Sequence, residues 1–265
     1  MKNNILDYFA KIKSENIHSR GEMASNILLH ILKCEPNENV LEIGCGTAAT
    51  LVNFSSYYKN SSFISVEASP EMYKTAQKRI NFCFQKRITL IFNNNTQKLP
   101  FSDVFFDKIY AESVIAIQEG EDIAKMFSEI RRVLKPNGIL IMNEGIWINS
   151  TTRERINEIN NFCKSNFGII QSNSNYPYAS DWEKLLINQG FEVEFIKKID
   201  DFEIDYKNKP KYRNRLSKLF SYYGKIQSKF NPELILNYSK FKKKMKVLSD
   251  GEKYMSGFII KCKAK

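Results

Sequence analysis

Apolar residues recur at helical spacing twice within the first 33 positions: Ile5, Leu6, Phe9 and Ile12, then Met23, Ile27, Leu28, Ile31 and Leu32. A polar break over 16–21 separates the two predicted helices, and Pro36-Asn37-Glu38-Asn39 marks a turn. The β-prone run Val40-Leu41-Glu42-Ile43 then enters Gly44-Cys45-Gly46, after which Leu51, Val52, Phe54 and Tyr58 resume helical spacing. Further strands are predicted over 62–67, 88–92, 107–111 and 139–143. Ser69-Pro70 opens a helix with a capping side chain followed by proline at the first helical position. A helix over 121–134 stops at Lys135-Pro136-Asn137-Gly138. Helices over 151–167 and 180–188, split by a polar loop over 171–175, lead to strands over 191–199 and 254–262. Strands alternating with helices predict an α/β fold whose parallel sheet is covered on both faces.

At 265 residues, 43% hydrophobic and 26% charged, the composition is that of a globular chain able to bury a full core. No run approaches the roughly 20 apolar residues that cross a bilayer. The charged N-terminal stretch is unlike a secretory signal, so a cytoplasmic location is expected. Five scattered cysteines without a Cys-x-x-Cys pair, and only His18 and His30, predict neither a disulfide framework nor a metal centre.

The net charge of +11 has one source. Residues 207–250 hold 13 Lys/Arg against Glu233 and Asp250, leaving 27 basic and 27 acidic residues elsewhere. In the same segment Tyr212, Leu216, Leu219, Phe220, Tyr223 and Phe230, then Leu234, Tyr238, Phe241, Met245 and Leu248, lie at helical spacing on either side of Pro232. Two amphipathic helices are expected between the last two strands, aromatic faces inward and lysines outward.

A strand, a Gly-x-Gly turn and a helix start bring backbone and free N–H groups close to a ligand, which points to a nucleotide-like cofactor. Gly44-x-Gly46-x-x-Ala49 fits the dinucleotide fingerprint, and the acidic residue expected about 20 positions on is present as Glu67. A carboxylate there accepts ribose hydroxyls, which NAD and S-adenosylmethionine share. The turn alone leaves both open.

Four stretches in order carry a resemblance: Val40-Leu-Glu-Ile-Gly-Cys-Gly-Thr47, Val66-Glu67, Leu99-Pro100-Phe101 with Phe106-Asp107, and Arg132-Val-Leu-Lys-Pro-Asn-Gly138. The chain resembles the class I S-adenosylmethionine-dependent methyltransferases, in particular the UbiE-like small-molecule group. The resemblance implies a Rossmann-like, seven-stranded, mostly parallel sheet with the last strand antiparallel, helices on both faces and the helical insertion between the last two strands. It implies helices over 1–36 covering the cofactor site, a core over 37–206, a basic lid over 207–250 and the last strand over 251–265. S-adenosylmethionine would be the cofactor and S-adenosylhomocysteine its product, with no metal. Glu42, Gly44, Cys45, Gly46 and Thr47 would surround the methionine end, Glu67 the ribose, and Ala68 and Met72 the adenine. Asn95 and Thr96 stand where the family has Asp-Ala against the adenine, and Glu112 and Ser113 would face the reacting centre. The chain departs at Ala48, a third glycine in the family, and at Asn95, which loses the charge-assisted part of its bond.

Methyl transfer from a sulfonium is an in-line displacement that needs alignment, exclusion of water and, for some acceptors, removal of a proton. Candidate bases are His18, in a segment resembling the family's cofactor-covering entry, Glu144 after the fifth strand, and Glu112. Tyr212, Phe220, Tyr223, Tyr238 and Phe241 would line an apolar acceptor pocket or form the insertion's own core. The outward lysines suit a solvated face, an acidic membrane surface, a phosphate-bearing acceptor such as a prenyl diphosphate, or RNA. Nucleic acid is disfavoured, because Ala111-Glu112-Ser113-Val114 stands where an Asn-Pro-Pro-Tyr-type motif would follow the fourth strand. The expected activity is methylation of a small, largely apolar acceptor. The alternatives are an RNA methyltransferase and a catalytically silent S-adenosylmethionine-fold binding protein. Oligomeric state stays open.

Overall fold

Seven strands form one sheet in the order β3-β2-β1-β4-β5-β7-β6. They are β1 (Asn39–Ile43), β2 (Ser62–Glu67), β3 (Ile88–Phe92), β4 (Phe106–Glu112), β5 (Leu134–Trp147), β6 (Phe191–Lys198) and β7 (Met255–Ala264). The computed structural model describes residues 4–15, 17–18, 20–95, 97–203, 214–248 and 253–265. Strands β1 to β5 pair in parallel, while β7 runs antiparallel to both β5 and β6. The order reverses between β1 and β4, and their C-terminal ends frame the crevice where such sheets bind ligands.

The helices are α1 (Ile5–Lys11), α2 (Gly21–Leu32), α3 (Ala49–Tyr57), α4 (Pro70–Phe82), α5 (Asp122–Val133), α6 (Arg153–Phe167), α7 (Ala179–Asn188), α8 (Arg215–Lys229) and α9 (Pro232–Leu248). Alternation along β1 feeds both faces of the sheet. Leu41 and Ile43 join a cluster with Phe127 and Ile130 of α5 and Trp182 of α7, whereas Val40 joins Leu28, Leu51 and Ala76 of α2, α3 and α4. Glu42 therefore shares the face of Val40, and its carboxyl is carried into the interior.

Strand β5 is longer than the pattern 139–143 suggested. Lys135-Pro136-Asn137-Gly138 is a bulge inside it, since Phe106 pairs Leu134 while Lys108 pairs Ile139. Lys135 Nζ pairs with Asp107 at the bulge (2.6 Å), and Asn137 takes a φ of +64°. The far end of β5 is extended by pairing Ile146 and Trp147 with β7.

The insertion is a helical hairpin, but α8 faces the other way from the expectation. Ser217, Phe220, Ser221 and Gly224 point inward, while Leu219, Tyr222, Tyr223 and Phe230 are exposed. The cause is Arg79 of α4, fully buried beneath α8, whose guanidinium needs oxygen acceptors. It donates to the carbonyl and hydroxyl of Ser217 (2.8 and 3.0 Å) and to the hydroxyl of Ser221 (2.9 Å). Gly224 allows the backbone of Ile12 to pass, since a Cβ there would lie 2.3 Å from the Ile12 carbonyl oxygen.

Candidate active site

The glycine turn is built by the ends of β1 and β2. Gly44 and Gly46 have φ of +68° and +56°, and a Cβ on Gly44 would lie 2.5 Å from Cγ2 of Val114. Ala48, where the resembled family has glycine, also takes a left-handed φ of +62° at the start of α3. Glu67, at the end of β2, accepts from the backbone N–H of Gly46 (2.7 Å) and of Ser69 (2.8 Å). Burial pushes its carboxyl above the usual range.

Beneath the turn a cavity of about 780 Å³ opens at the strand ends. Glu42, Gly44, Cys45, Gly46, Thr47, Glu67, Ala68, Met72, Glu112, Ser113, His18 and Glu144 all border it, so one space gathers most of the residues singled out in the sequence. Glu42 is buried with Oε2 lacking a hydrogen-bond partner among the described residues, and the Tyr110 hydroxyl faces it without normal hydrogen-bond geometry. Burial, then the neighbouring Glu112 charge, raise its pKa well above the usual value. An unsatisfied carboxyl oxygen in a cavity wall is costly unless a ligand donor meets it. A cationic ammonium, such as that at the methionine end of S-adenosylmethionine, fits this requirement, and the Gly44–Gly46 cradle fits a ligand in close backbone contact.

A second polar group sits across the strand ends. Oε2 of Glu112 lies 3.0 Å from Ser25 Oγ, 3.3 Å from Asn143 Nδ2 and 3.3 Å from His18 Nε2. Asn143 Nδ2 also lies 3.0 Å from His18 Nδ1. Turning the amide over would set its oxygen against the Glu112 carboxylate, so Nδ2 is the donor to both and Nδ1 accepts, which leaves a ring proton on Nε2, 3.1 Å from Ser25 Oγ and 3.3 Å from Glu112. Sequence reasoning missed Ser25 and Asn143. Ser25 is a polar position within an apolar helix, and Asn143 ends the apolar run of β5; each was a weak signal by itself.

Glu144 also borders the cavity and has its own set of contacts. Fully buried, it accepts from the backbone N–H groups of Val114 (3.1 Å), Ile115 (3.0 Å) and Ala116 (3.1 Å), bracing the loop after β4. Burial pushes its carboxyl up to about 7.

Other positions fall elsewhere. Asn95 is exposed, its side chain accepting from Gln97 N–H (3.1 Å), and Asn93 rather than Asn95 borders the cavity. Thr96 and Tyr212 lie outside the described residues. His30 is exposed on α2. Tyr223 and Tyr238 are solvent-exposed, and Phe220 is buried under α8 with its ring over Arg79. Phe241 packs between Tyr8 and Phe167 behind the cavity. From α9 it is Met245 and Leu248 that reach the cavity wall, joined by Ile5 and Phe9 of α1 and Cys163 and Phe167 of α6. Among the described residues no group of three or more His, Cys, Asp or Glu side chains is placed to hold a metal ion, and no helix is long and apolar enough to cross a membrane.

Residues 40–138 match the family model described as "Methyltransferase domain". The ubiquinone/menaquinone biosynthesis C-methyltransferase UbiE of Wigglesworthia glossinidia brevipalpis is 26% identical over 184 residues, covering 69% of this chain and 72% of that one. Among solved structures, the geranyl diphosphate C-methyltransferase of Streptomyces coelicolor A3(2) aligns with a TM-score of 0.60 at 13% identity, covering 93% of this chain and 80% of that one. The [4+2]-cyclase SpnF aligns with a TM-score of 0.63 at 16% identity over 95% of this chain and 84% of the other. Several curated relatives are matched over only part of their length, for example 39% of a malonyl-[acyl-carrier protein] O-methyltransferase of Methylovorus sp. and 34% of a 37.1 kDa protein of Streptomyces fradiae. With the four ordered motifs, the seven-stranded topology and the glycine turn at the end of β1, these matches identify residues 40–138 as a methyltransferase domain and support a class I S-adenosylmethionine-dependent methyltransferase.

Proposed function

We propose that this protein transfers the methyl group of S-adenosylmethionine to a small, largely apolar acceptor and releases S-adenosylhomocysteine. The observation that carries this reading is one cavity with two kinds of wall: carboxylates and a glycine turn at the strand ends, and apolar side chains from α1, α6 and α9. When bound, the cofactor supplies an electrophilic methyl on a sulfonium. Glu42 Oε2 would take its ammonium group, and the backbone of Gly44 to Gly46 would pass along its methionine end. Glu67 already has N–H donors from Gly46 and Ser69 and keeps lone pairs for the ribose hydroxyls.

On the acceptor side, His18 and Glu112 act together. For an acceptor that must lose a proton, His18 would take it at Nδ1 in exchange for the Asn143 contact, and the Glu112 carboxylate 3.3 Å from Nε2 would stabilise the imidazolium formed. Glu144 holds the Val114 to Ala116 backbone and through it the shape of the wall. The apolar wall excludes water and favours an acceptor with little charge. The relative named for ubiquinone/menaquinone biosynthesis supports an acceptor of this kind.

The test is calorimetric titration with S-adenosylmethionine, S-adenosylhomocysteine and NAD, repeated on Glu67→Ala. Binding of both sulfur compounds, lost in the variant and absent for NAD, is the expected result. If neither sulfur compound binds, the enzyme reading fails, and the silent-binding alternative takes its place.

A further inference from the structure

Helix α8 presents an apolar stripe to solvent. Leu216, Leu219, Tyr223, Ile226 and Phe230 recur at i, i+3, i+7, i+10 and i+14, which is one line along a helix. Leu219 is 51% exposed, Tyr223 54% and Phe230 81%, with Tyr222 at 61% beside them. Helices of globular proteins ordinarily bury such a line; here the buried side is Ser217, Ser221 and Gly224 with Phe220. Lys218, Lys225 and Lys229 border the stripe. Across residues 215–248 there are nine Lys/Arg and a single acid, Glu233, whose carboxylate is taken by Lys11 at 2.9 Å.

We propose that this face docks on an anionic lipid surface, the stripe entering the headgroup boundary and the lysines meeting lipid phosphates. An outward apolar line on one helix, bordered along one side by lysines, has the chemistry of an interfacial helix. A second copy of the chain is disfavoured as occupant, since the face would bring Lys218, Lys225 and Lys229 against their own copies. RNA is disfavoured because the aliphatic Leu216, Leu219 and Ile226, on which bases do not stack, interrupt the exposed rings of Tyr222, Tyr223 and Phe230. The partner helix α9 supplies Met245 and Leu248 to the cavity wall, so docking would bring that wall to the phase where an apolar acceptor dissolves. This last link rests on the proposed function; lipid docking itself does not.

The test is co-sedimentation of the full chain with vesicles of phosphatidylcholine alone or an equimolar mixture with phosphatidylglycerol, which needs neither cofactor nor acceptor. The parent should bind the mixed vesicles and not the neutral ones. Leu219→Gln/Tyr222→Gln/Phe230→Gln alters only exposed side chains, and thermal unfolding checks that its fold is kept. It should bind the mixed vesicles about tenfold more weakly or worse. In a separate Phe230→Trp variant the mixed vesicles should shift the indole emission to the blue, because native Trp147 and Trp182 are 1% and 0% exposed and do not report on this surface. Absence of binding to the mixed vesicles overturns the proposal. So does unchanged binding by the triple variant with no emission shift, which would leave charge alone at work. A dimer in sedimentation velocity that the triple variant abolishes, or an RNA oligomer that displaces the vesicles, also overturns it.

Discussion

Nε of Arg79 lies 2.7 Å from the carbonyl oxygen of Thr47, tying the glycine turn to a guanidinium buried under α8. The same group reaches the carbonyls of Lys13 (3.0 Å) and Ser14 (3.2 Å), and Thr47 Oγ1 donates to the Ser14 carbonyl at 2.5 Å. One side chain thus joins the turn, the segment leading to His18, and the insertion. Burial holds its pKa down to about 10, so it stays charged at neutral pH.

Replacing Arg79 by Met should therefore cost about 3 kcal/mol or more, because buried carbonyls and hydroxyls lose their donor at once. Denaturant unfolding measures the loss. Limited proteolysis should also show new cleavage between Lys13 and His18, a result that a simple packing defect under α8 would not give.

Gly44→Ala should destabilise by about 3 kcal/mol, combining left-handed strain with overpacking against Val114. Adding Val114→Ala should recover the overpacking part and leave the strain. If the double variant is no more stable than the single one, the clash is not the cause.

Glu144 gives a pH dependence of definite sign. Its pKa is about 7 when folded and near 4.5 when unfolded, so between those values the folded state binds more protons. Its contribution is full below pH 4.5 and is lost as pH rises through 7, by up to about 3 kcal/mol. The stability of the parent minus that of Glu144→Gln, from urea titrations at a series of pH values, should fall by this amount. A difference that does not change with pH would mean Glu144 is ionised throughout.

Glu112→Leu should cost about 2 kcal/mol, because Ser25, Asn143 and His18 lose the Oε2 acceptor they share. Asn143→Leu should cost a similar amount. The two losses should add to less than their sum in the double variant, since both belong to one network.

What was legible in the sequence is what neighbours along the chain determine. The β1 run, the turn at Gly44 and the carboxylate of Glu67 lie within 28 residues, and the alternation of strands with helices fixed the sheet. The outward face of α8 was not legible. Periodicity marks an apolar arc but not which arc meets the protein, and here the choice is made by Arg79, 138 positions before Ser217. Asn143 and Ser25 escaped for a related reason: they are single polar positions in apolar elements, given meaning only when His18 and Glu112 arrive from elsewhere. Asn95 was assigned by alignment to a motif, and the loop carries it to the surface.

Strand β7 lies between β5 and β6, and among the described residues β6 has no other strand partner. During synthesis β6 emerges before the one neighbour that can pair with it, and it must wait for the whole α8–α9 hairpin. The sheet is completed only when residues 255–264 thread into the gap, a contact of long sequence separation that slows folding. Until then the β6 edge is open to pairing with other chains. The half of the molecule that carries the glycine turn can consolidate early, whereas Met245 and Leu248, the share of the cavity wall that α9 supplies, arrive only after β6.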